Sequence, residues 1–282
     1  METTVQATAH TQLLAVIGHP IAHSKSPQMH QAALNAQQLP LTYLAFDVWP
    51  EELQEAVSGL RALRVRGWNV TIPHKVAIIP FLDAIDEDAR EIGAVNTVVN
   101  DGGRLIGYNT DGAGYLASLR EETGITLREQ RVLILGAGGA ARAIAYVLAR
   151  AGVPHIVVAN RTASRARELA SFVAQWTETS ALALEEVAAC TSDRTLIVNT
   201  TSVGMAPHTD ATPLDPRLIP AGSVVSDLIY NPAKTLLLQE AEKRGCTIHN
   251  GLGMFIRQGA LAYEKWTGKP APLDVMRSAA SS

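Results

Sequence analysis

Gly136-Ala-Gly-Gly-Ala-Ala-Arg142 follows the apolar run Val132-Leu-Ile-Leu135 and precedes a long alanine-rich segment. The order is strand, glycine turn, helix. Glycines in that setting permit a tight turn and let the backbone approach a pyrophosphate. The helix N-terminus then offers unpaired N–H groups and the positive end of its dipole to the anion. The stretch reads G-x-G-x-x-A, an accepted form of the dinucleotide fingerprint. Gly136, Ala137, Gly138, Gly139 and Ala140 are therefore candidate cofactor-binding residues. An ordinary strand-to-helix turn also uses glycine, but a strand and a helix on the required sides favour the dinucleotide reading.

Downstream of this loop, apolar runs at 156–159, 196–199 and 223–228 read as strands, with a short one at 247–249. Helical spacing covers 140–151, 164–175 and 235–244, and a final helix spans 254–266 after Gly251-Leu-Gly253, with Phe255, Leu261, Ala262 and Trp266 as its apolar side chains. Upstream, strands are expected at 13–17, 41–48 and 65–71. Ser26-Pro27 starts a helix, with the Ser26 hydroxyl as N-cap and proline at the first helical position; Met29, Ala32, Ala33 and Ala36 recur at helical spacing after it. A second helix carries Leu53, Ala56, Val57 and Leu60, entered through Pro50; residues 76–92 read as a helix broken by Pro80. Residues 95–99 and 104–108 flank Asp101-Gly-Gly103 as a β-hairpin, and a further helix covers 112–122. The alternation predicts an α/β protein of two domains. One is an N-terminal, mostly parallel α/β sheet domain for substrate, residues 1–112 plus 254–282, with the C-terminal helix packing back on it. The other is a Rossmann-type cofactor domain, residues 113–253. Apart from a short Ala/Ser tail there is no low-complexity segment.

The chain has 282 residues, 47% hydrophobic and 18% charged, which suits a folded globular protein of this size. A net charge of -3 gives no basic surplus for nucleic acid or a membrane surface. The first ten residues lack the basic and apolar regions of a signal peptide, and no apolar run is long enough to span a bilayer. Two cysteines, Cys190 and Cys246, lie outside any C-x-x-C pattern, so the expected address is the reducing cytoplasm. His19, His23 and His30 have no H-x-x-x-H face and no carboxylate among them, which argues against a metal site. A homodimer is one assembly the composition permits.

At the end of the second strand after a dinucleotide loop, an acid selects the ribose 2′-hydroxyl of NAD. Here the strand ends in Asn160-Arg161-Thr162, with Arg165 one turn on and no carboxylate at the tip. A carboxylate would repel a 2′-phosphate, whereas guanidinium groups bind one, so the cofactor reads as NADP. Thr162 can cap the following helix. Hydride transfer to a carbonyl also needs a proton donor. Lys75, just past a strand end in Asn69-Val-Thr-Ile-Pro-His-Lys75, and Asp111, after the hairpin, form a candidate pair. The ammonium would protonate the developing alkoxide and the carboxylate would hold the ammonium. As alternatives, Lys75 is a surface lysine and Asp111 a helix cap. Ser24 and Ser26 supply two hydroxyls suited to a substrate carboxylate, and Ser26 could cap a helix and donate to a ligand at once.

Taken together, the motifs resemble the shikimate dehydrogenase family over most of the chain. They are Gly-x-Pro-x-x-His-Ser-x-Ser-Pro-x-x-His at 18–30, Asn69-Val-Thr-Ile-Pro-His-Lys75, Gly93-Ala-Val-Asn-Thr97, Asn109-Thr-Asp111-Gly, the glycine loop, Asn160-Arg-Thr162, Asp227-Leu-Ile-Tyr-Asn-Pro232, and Asn250-Gly-Leu-Gly-Met254 with Gln258. The resemblance implies reversible, NADP-dependent interconversion of 3-dehydroshikimate and shikimate. It implies Lys75 and Asp111 as the catalytic pair and Ser24 and Ser26 as the carboxylate site. Thr71, Asn96, Asp111 and Gln258 would meet the ring hydroxyls, with Tyr230 bordering the substrate. It also implies the loop 136–140 and the segment Asn160 to Arg165 as the cofactor site, Leu228 and Gly251 beside the nicotinamide, and Glu87 as a further cofactor contact. Gln31 stands where the family usually has Asn, a position expected to be structural. The rivals are a quinate/shikimate or aminoshikimate dehydrogenase of shifted specificity, and a cofactor-binding regulatory protein without turnover. Ser26 and Asn160-Arg161 favour shikimate and NADP.

Overall fold

The computed structural model describes residues 8–281, which form two compact units. One holds the residues up to Thr110 together with those from Ile256 on; the other is Asp111–Phe255.

The first unit contains β1 (Gln12–Gly18), α1 (Ser26–Ala36), β2 (Leu41–Asp47), α2 (Leu53–Ala62), β3 (Gly67–Val70), α3 (His74–Ala77), β4 (Ala84–Ile85), α4 (Glu87–Ile92), β5 (Thr97–Asp101) and β6 (Arg104–Tyr108). Its sheet runs β2-β1-β3-β5-β6-β4. β1 is parallel to both neighbours, and its continuous apolar run is what a central strand covered on both faces requires. β5 and β6 pair antiparallel with Asp101 opposite Arg104. The two intervening glycines have φ of 60° and 107°, the left-handed values a two-residue hairpin turn needs. Ile17, Val57, Leu60, Trp68, Val98 and Leu105 form the core beneath α2.

The second unit contains α5 (Asp111–Thr123), β7 (Arg131–Leu135), α6 (Gly139–Arg150), β8 (His155–Asn160), α7 (Ala163–Val173), β9 (Glu178–Ala183), β10 (Leu196–Asn199), β11 (Val224–Asp227), α8 (Leu236–Lys243) and β12 (Thr247–His249). All six strands are parallel, in the order β9-β8-β7-β10-β11-β12. That is the 3-2-1-4-5-6 order of the doubly wound dinucleotide fold, and its switch point lies between β7 and β10. The central strands bury both faces: in β7, Val132 and Ile134 join one core, Leu133 and Leu135 the other. α9 (Gly251–Thr267) and α10 (Leu273–Ser281) close the chain. In the first unit, Trp266 of α9 donates from its indole to the Val98 carbonyl at 2.9 Å, and a Cβ on Gly67 would overlap that ring. Lys25 and Gln28 of the α1 region donate to the Ala280 and Ala279 carbonyls of α10. The C-terminal helices therefore pack on the first unit's elements, as expected.

Several local expectations change. Ser26 is the first residue of α1 rather than its N-cap, and its hydroxyl caps no helix N–H; Ser24 Oγ accepts from Ser26 N instead. Ala36 is exposed, while His30 and Leu34 join the buried face. Residues 76–92 are not one helix. Between Pro80 and Asp86 the chain adds β4 to the edge of β6, and Asp86 caps α4 by accepting from Ala89 N at 2.8 Å. β9 and α10 were not expected. β9 is a half-polar edge strand without an apolar run, and α10 hides behind Pro270 and Pro272 in a segment of small residues. No helix among the described residues is long and apolar enough to cross a membrane.

Two buried histidines make the fold pH-sensitive. His30 is stacked on Tyr43 at 4.4 Å with neither ring nitrogen hydrogen-bonded among the described residues, and burial lowers its pKa to about 3. Burial lowers that of His249 to about 4. Both are neutral in the fold and titrate near 6.5 when unfolded, so the unfolded chain binds more protons below that value. Their contribution is intact above pH 6.5 and is lost as pH falls towards 4 and then 3. At pH 5 each loss is about 2 kcal/mol. The urea midpoint of His30→Leu, compared between pH 7 and 5, should fall by less than that of the unaltered chain. Identical slopes would contradict this reading.

Candidate functional site

In the first unit, Thr71 follows β3 and Lys75 lies on α3, half-buried. α3 is held in place by His74, whose ring nitrogen contacts the Val48 carbonyl at 2.7 Å, and by Val95 N, which donates to the Lys75 carbonyl at 2.8 Å. Ser24 Oγ accepts from Ser26 N at 3.3 Å, so the two serines adjoin at the start of α1. The Tyr43 phenol donates to Asn69 Oδ1 at 2.7 Å. Asn69 Nδ2 donates to the Asn96 carbonyl and to Thr97 Oγ1, both at 3.2 Å. Asn96 Oδ1 accepts from Thr110 N at 2.8 Å, and Asn96 Nδ2 lies 2.9 Å from Thr110 Oγ1 and 3.4 Å from Gln258 Oε1. One hydrogen-bonded series thus links Tyr43 to Asn96 and Gln258. Thr97 and Thr110 stood inside quoted motifs without an assigned role. Asn69 stood inside the quoted lysine motif, whereas Tyr43 carries no motif at all. Glu87 is the exposed first residue of α4, with no hydrogen bond to these groups among the described residues.

In the second unit, Gly136 closes the turn after β7 with φ 109°. A Cβ there would lie 2.5 Å from Thr200 Oγ1 and 3.1 Å from Thr201 Cγ2, at the switch point itself. Gly138 and Gly139 have open space where a Cβ would be, and Gly138 precedes α6 with no side-chain cap. The first N–H groups of α6 therefore have no side-chain cap, and the glycines beside them are open, which suits the approach of a pyrophosphate. Gly136→Ala should cost on the order of 1–3 kcal/mol from strain and weaken NADP+ binding as the turn shifts. Gly138→Ala, with room for its methyl group, should destabilise less; thermal melts and NADP+ titration of both variants check this. Equal effects would contradict it. Thr200 and Thr201 also escaped the sequence reading, although Asn199-Thr-Thr-Ser202 follows the β10 run at the place where the strand order reverses.

At the end of β8, Asn160 Nδ2 donates to the Thr162 carbonyl at 3.1 Å. Thr162 stands at the N-cap of α7, but its hydroxyl accepts no helix N–H, contrary to the expected cap. Arg161, Thr162 and Arg165 are exposed, and neither guanidinium has an ion-pair partner among the described residues. No acid occurs from Asn160 to Arg167. The donor set fits a 2′-phosphate and provides no carboxylate for a free 2′-hydroxyl. Asp111 is the buried first residue of α5. Tyr230 stacks on Phe255 at 5.0 Å, and burial raises its phenol pKa, so the ring stays neutral. A Cβ on Gly251 would overlap the Leu228 carbonyl, which fixes the close approach of α9 to the segment after β11.

Family models match in three places. The shikimate dehydrogenase substrate binding domain covers residues 16–98, shikimate / quinate 5-dehydrogenase covers 118–208, and the shikimate 5'-dehydrogenase C-terminal domain covers 251–280. A shikimate dehydrogenase (NADP(+)) of Symbiobacterium thermophilum is 49% identical over 275 residues, 95% of this chain and 93% of that one. Among solved structures, the Listeria monocytogenes shikimate 5-dehydrogenase in complex with shikimate and NAD is 39% identical with a TM-score of 0.91, covering 97% of each chain. The Thermus thermophilus enzyme in complex with NADP(H) and shikimate is 40% identical with a TM-score of 0.87, covering 96% of this chain and 98% of that one. A doubly wound sheet with a glycine cradle, together with an α/β unit rich in buried hydroxyl and amide groups, defines a two-domain dinucleotide-dependent oxidoreductase. Within that class, the chain belongs to the shikimate dehydrogenase family.

Proposed function

We infer that this chain catalyses the reversible, NADPH-dependent reduction of 3-dehydroshikimate to shikimate, a step in aromatic amino-acid biosynthesis. The observation that carries this reading is the near end-to-end match to a relative bearing that activity in its name, 49% identical over 95% of the chain. The cradle at Gly136 and the acid-free, arginine-bearing end of β8 support the cofactor assignment.

Residues 1–112 and 254–282 take the substrate and residues 113–253 the cofactor. NADPH, when bound, supplies the hydride. Residues 136–140 would hold its pyrophosphate, Asn160, Arg161, Thr162 and Arg165 its 2′-phosphate, and Leu228 and Gly251 would flank the nicotinamide. Ser24 and Ser26 donate to the substrate carboxylate. Thr71, Asn96 and Gln258 meet the ring hydroxyls, and Tyr230 borders the ring. Lys75 gives a proton to the alkoxide oxygen as the ketone is reduced and takes it back in oxidation. Asp111 holds Lys75 and one ring hydroxyl. The ammonium offsets alkoxide charge as it develops, the electrostatic part of the catalysis.

Steady-state rates on shikimate and quinate with NADP+ and NAD+ test the reading. The highest kcat/KM should fall to shikimate with NADP+. A preference for quinate with NAD+ would overturn it.

A further inference from the structure

Asn199 and Asp227 end adjacent strands of the second unit, β10 and β11, and both are fully buried. Asp227 has no cationic partner among the described residues, an expensive arrangement for a buried carboxyl group. Its Oδ1 accepts from Asn199 Nδ2 and from Ile229 N, each at 3.0 Å, and its Oδ2 accepts from Thr235 Oγ1 at 2.7 Å. The Asn199 amide is oriented by two donors on its oxygen, Thr201 N at 3.0 Å and Thr201 Oγ1 at 2.8 Å, which turns its nitrogen to Asp227, with a longer contact to the Val203 carbonyl at 3.5 Å. The frame extends further on both sides. Thr200 donates to the Leu135 carbonyl from N and from Oγ1, at 2.9 and 2.7 Å, where it abuts Gly136. Gly251 N donates to the Ile229 carbonyl at 3.1 Å.

The pair ties the ends of β10 and β11, and adjoining hydrogen bonds tie Thr200 to the end of β7 and Ile229 to the start of α9. Packing alone does not require this, since an apolar pair would be easier to bury. An acceptor at Asp227 is needed because backbone, amide and hydroxyl donors converge on it. In an amide at 227, a nitrogen in the Oδ1 place would face two donors. In the Oδ2 place it would cancel the Thr235 donation.

We propose that Asn199 and Asp227 are a positioning pair that sets the segment from Leu228 to Tyr230 against the nicotinamide end of the cofactor. The proposal rests on the assignment of Leu228 and Gly251 to the nicotinamide and of Tyr230 to the substrate beside it. Loss of the pair therefore slows hydride transfer and leaves the grip on pyrophosphate and 2′-phosphate intact.

Asn199→Ala and Asp227→Asn test this in the full chain. The readouts are kcat, the NADP+ dissociation constant and the primary deuterium isotope effect with shikimate deuterated at the carbon that is oxidised. In Asn199→Ala, kcat should fall between about tenfold and a hundredfold. NADP+ affinity should stay within about threefold and the isotope effect on kcat should rise, because hydride transfer limits turnover more fully. Asp227→Asn should move the same way by less. A purely structural role lowers only the fraction of folded enzyme, so an unchanged isotope effect in the folded variants would overturn the proposal. So would a failure of both variants to fold. A wild-type chain inactive on shikimate would contradict the functional reading instead.

Discussion

Lys75→Ala is expected to lower kcat for shikimate oxidation by about 10²–10⁴-fold, the range in which a positioned acid–base group contributes. The dissociation constant for shikimate should change by less than about threefold, because the proposed carboxylate and hydroxyl contacts lie on other residues. In the first unit Tyr43, Asn69, Asn96 and Gln258 are linked by hydrogen bonds of their own. An effect on kcat with binding preserved is the signature of an interaction made chiefly in the transition state. Equilibrium binding by calorimetry, beside steady-state rates, separates the two quantities. A kcat within threefold of the unaltered enzyme would remove Lys75 from the proton-transfer role.

The second large effect concerns the cofactor. Arg161→Ala should raise the KM for NADP+ by about 10–100-fold, the equivalent of a charge-assisted hydrogen bond worth about 1.5–3 kcal/mol. The KM for NAD+, which lacks the 2′-phosphate, should move by less than about threefold. Arg161 and Arg165 are exposed and have no ion-pair partner among the described residues, so removing either frees no buried charge. The ratio of the two KM values therefore reports contact with the phosphate, uncontaminated by folding. Equal shifts for both cofactors would assign Arg161 to a general surface role.

The doubly wound unit was legible because its strands bury both faces and so appear as unbroken apolar runs: Val132 to Leu135 and Leu196 to Asn199 could be placed directly. β9 could not, since Glu178, Thr179 and Ser180 occupy an edge strand with no such run. Proline misled the reading of residues 76–92, where Asp86 was the informative residue, a helix cap hidden inside a supposed helix. Ser26 and Thr162 show the limit of local capping rules. Each stands at a helix start, and in each the hydroxyl leaves the helix N–H groups alone. Of the candidate site, the residues in tight motifs could be named in advance, because glycine geometry and charge at a strand end are local properties. The Tyr43–Asn69 contact and the Asn199–Asp227 pair join residues 26 and 28 positions apart, and only the strand register brings them together.

Oxidation of shikimate with NADP+ is the reaction expected of this chain. It can be followed as absorbance at the reduced-nicotinamide band after mixing the purified protein with shikimate and NADP+. Absorbance should rise at a rate that scales with enzyme, and far more slowly with NAD+. No rise with NADP+ and shikimate, from a folded protein that binds NADP+, would contradict it.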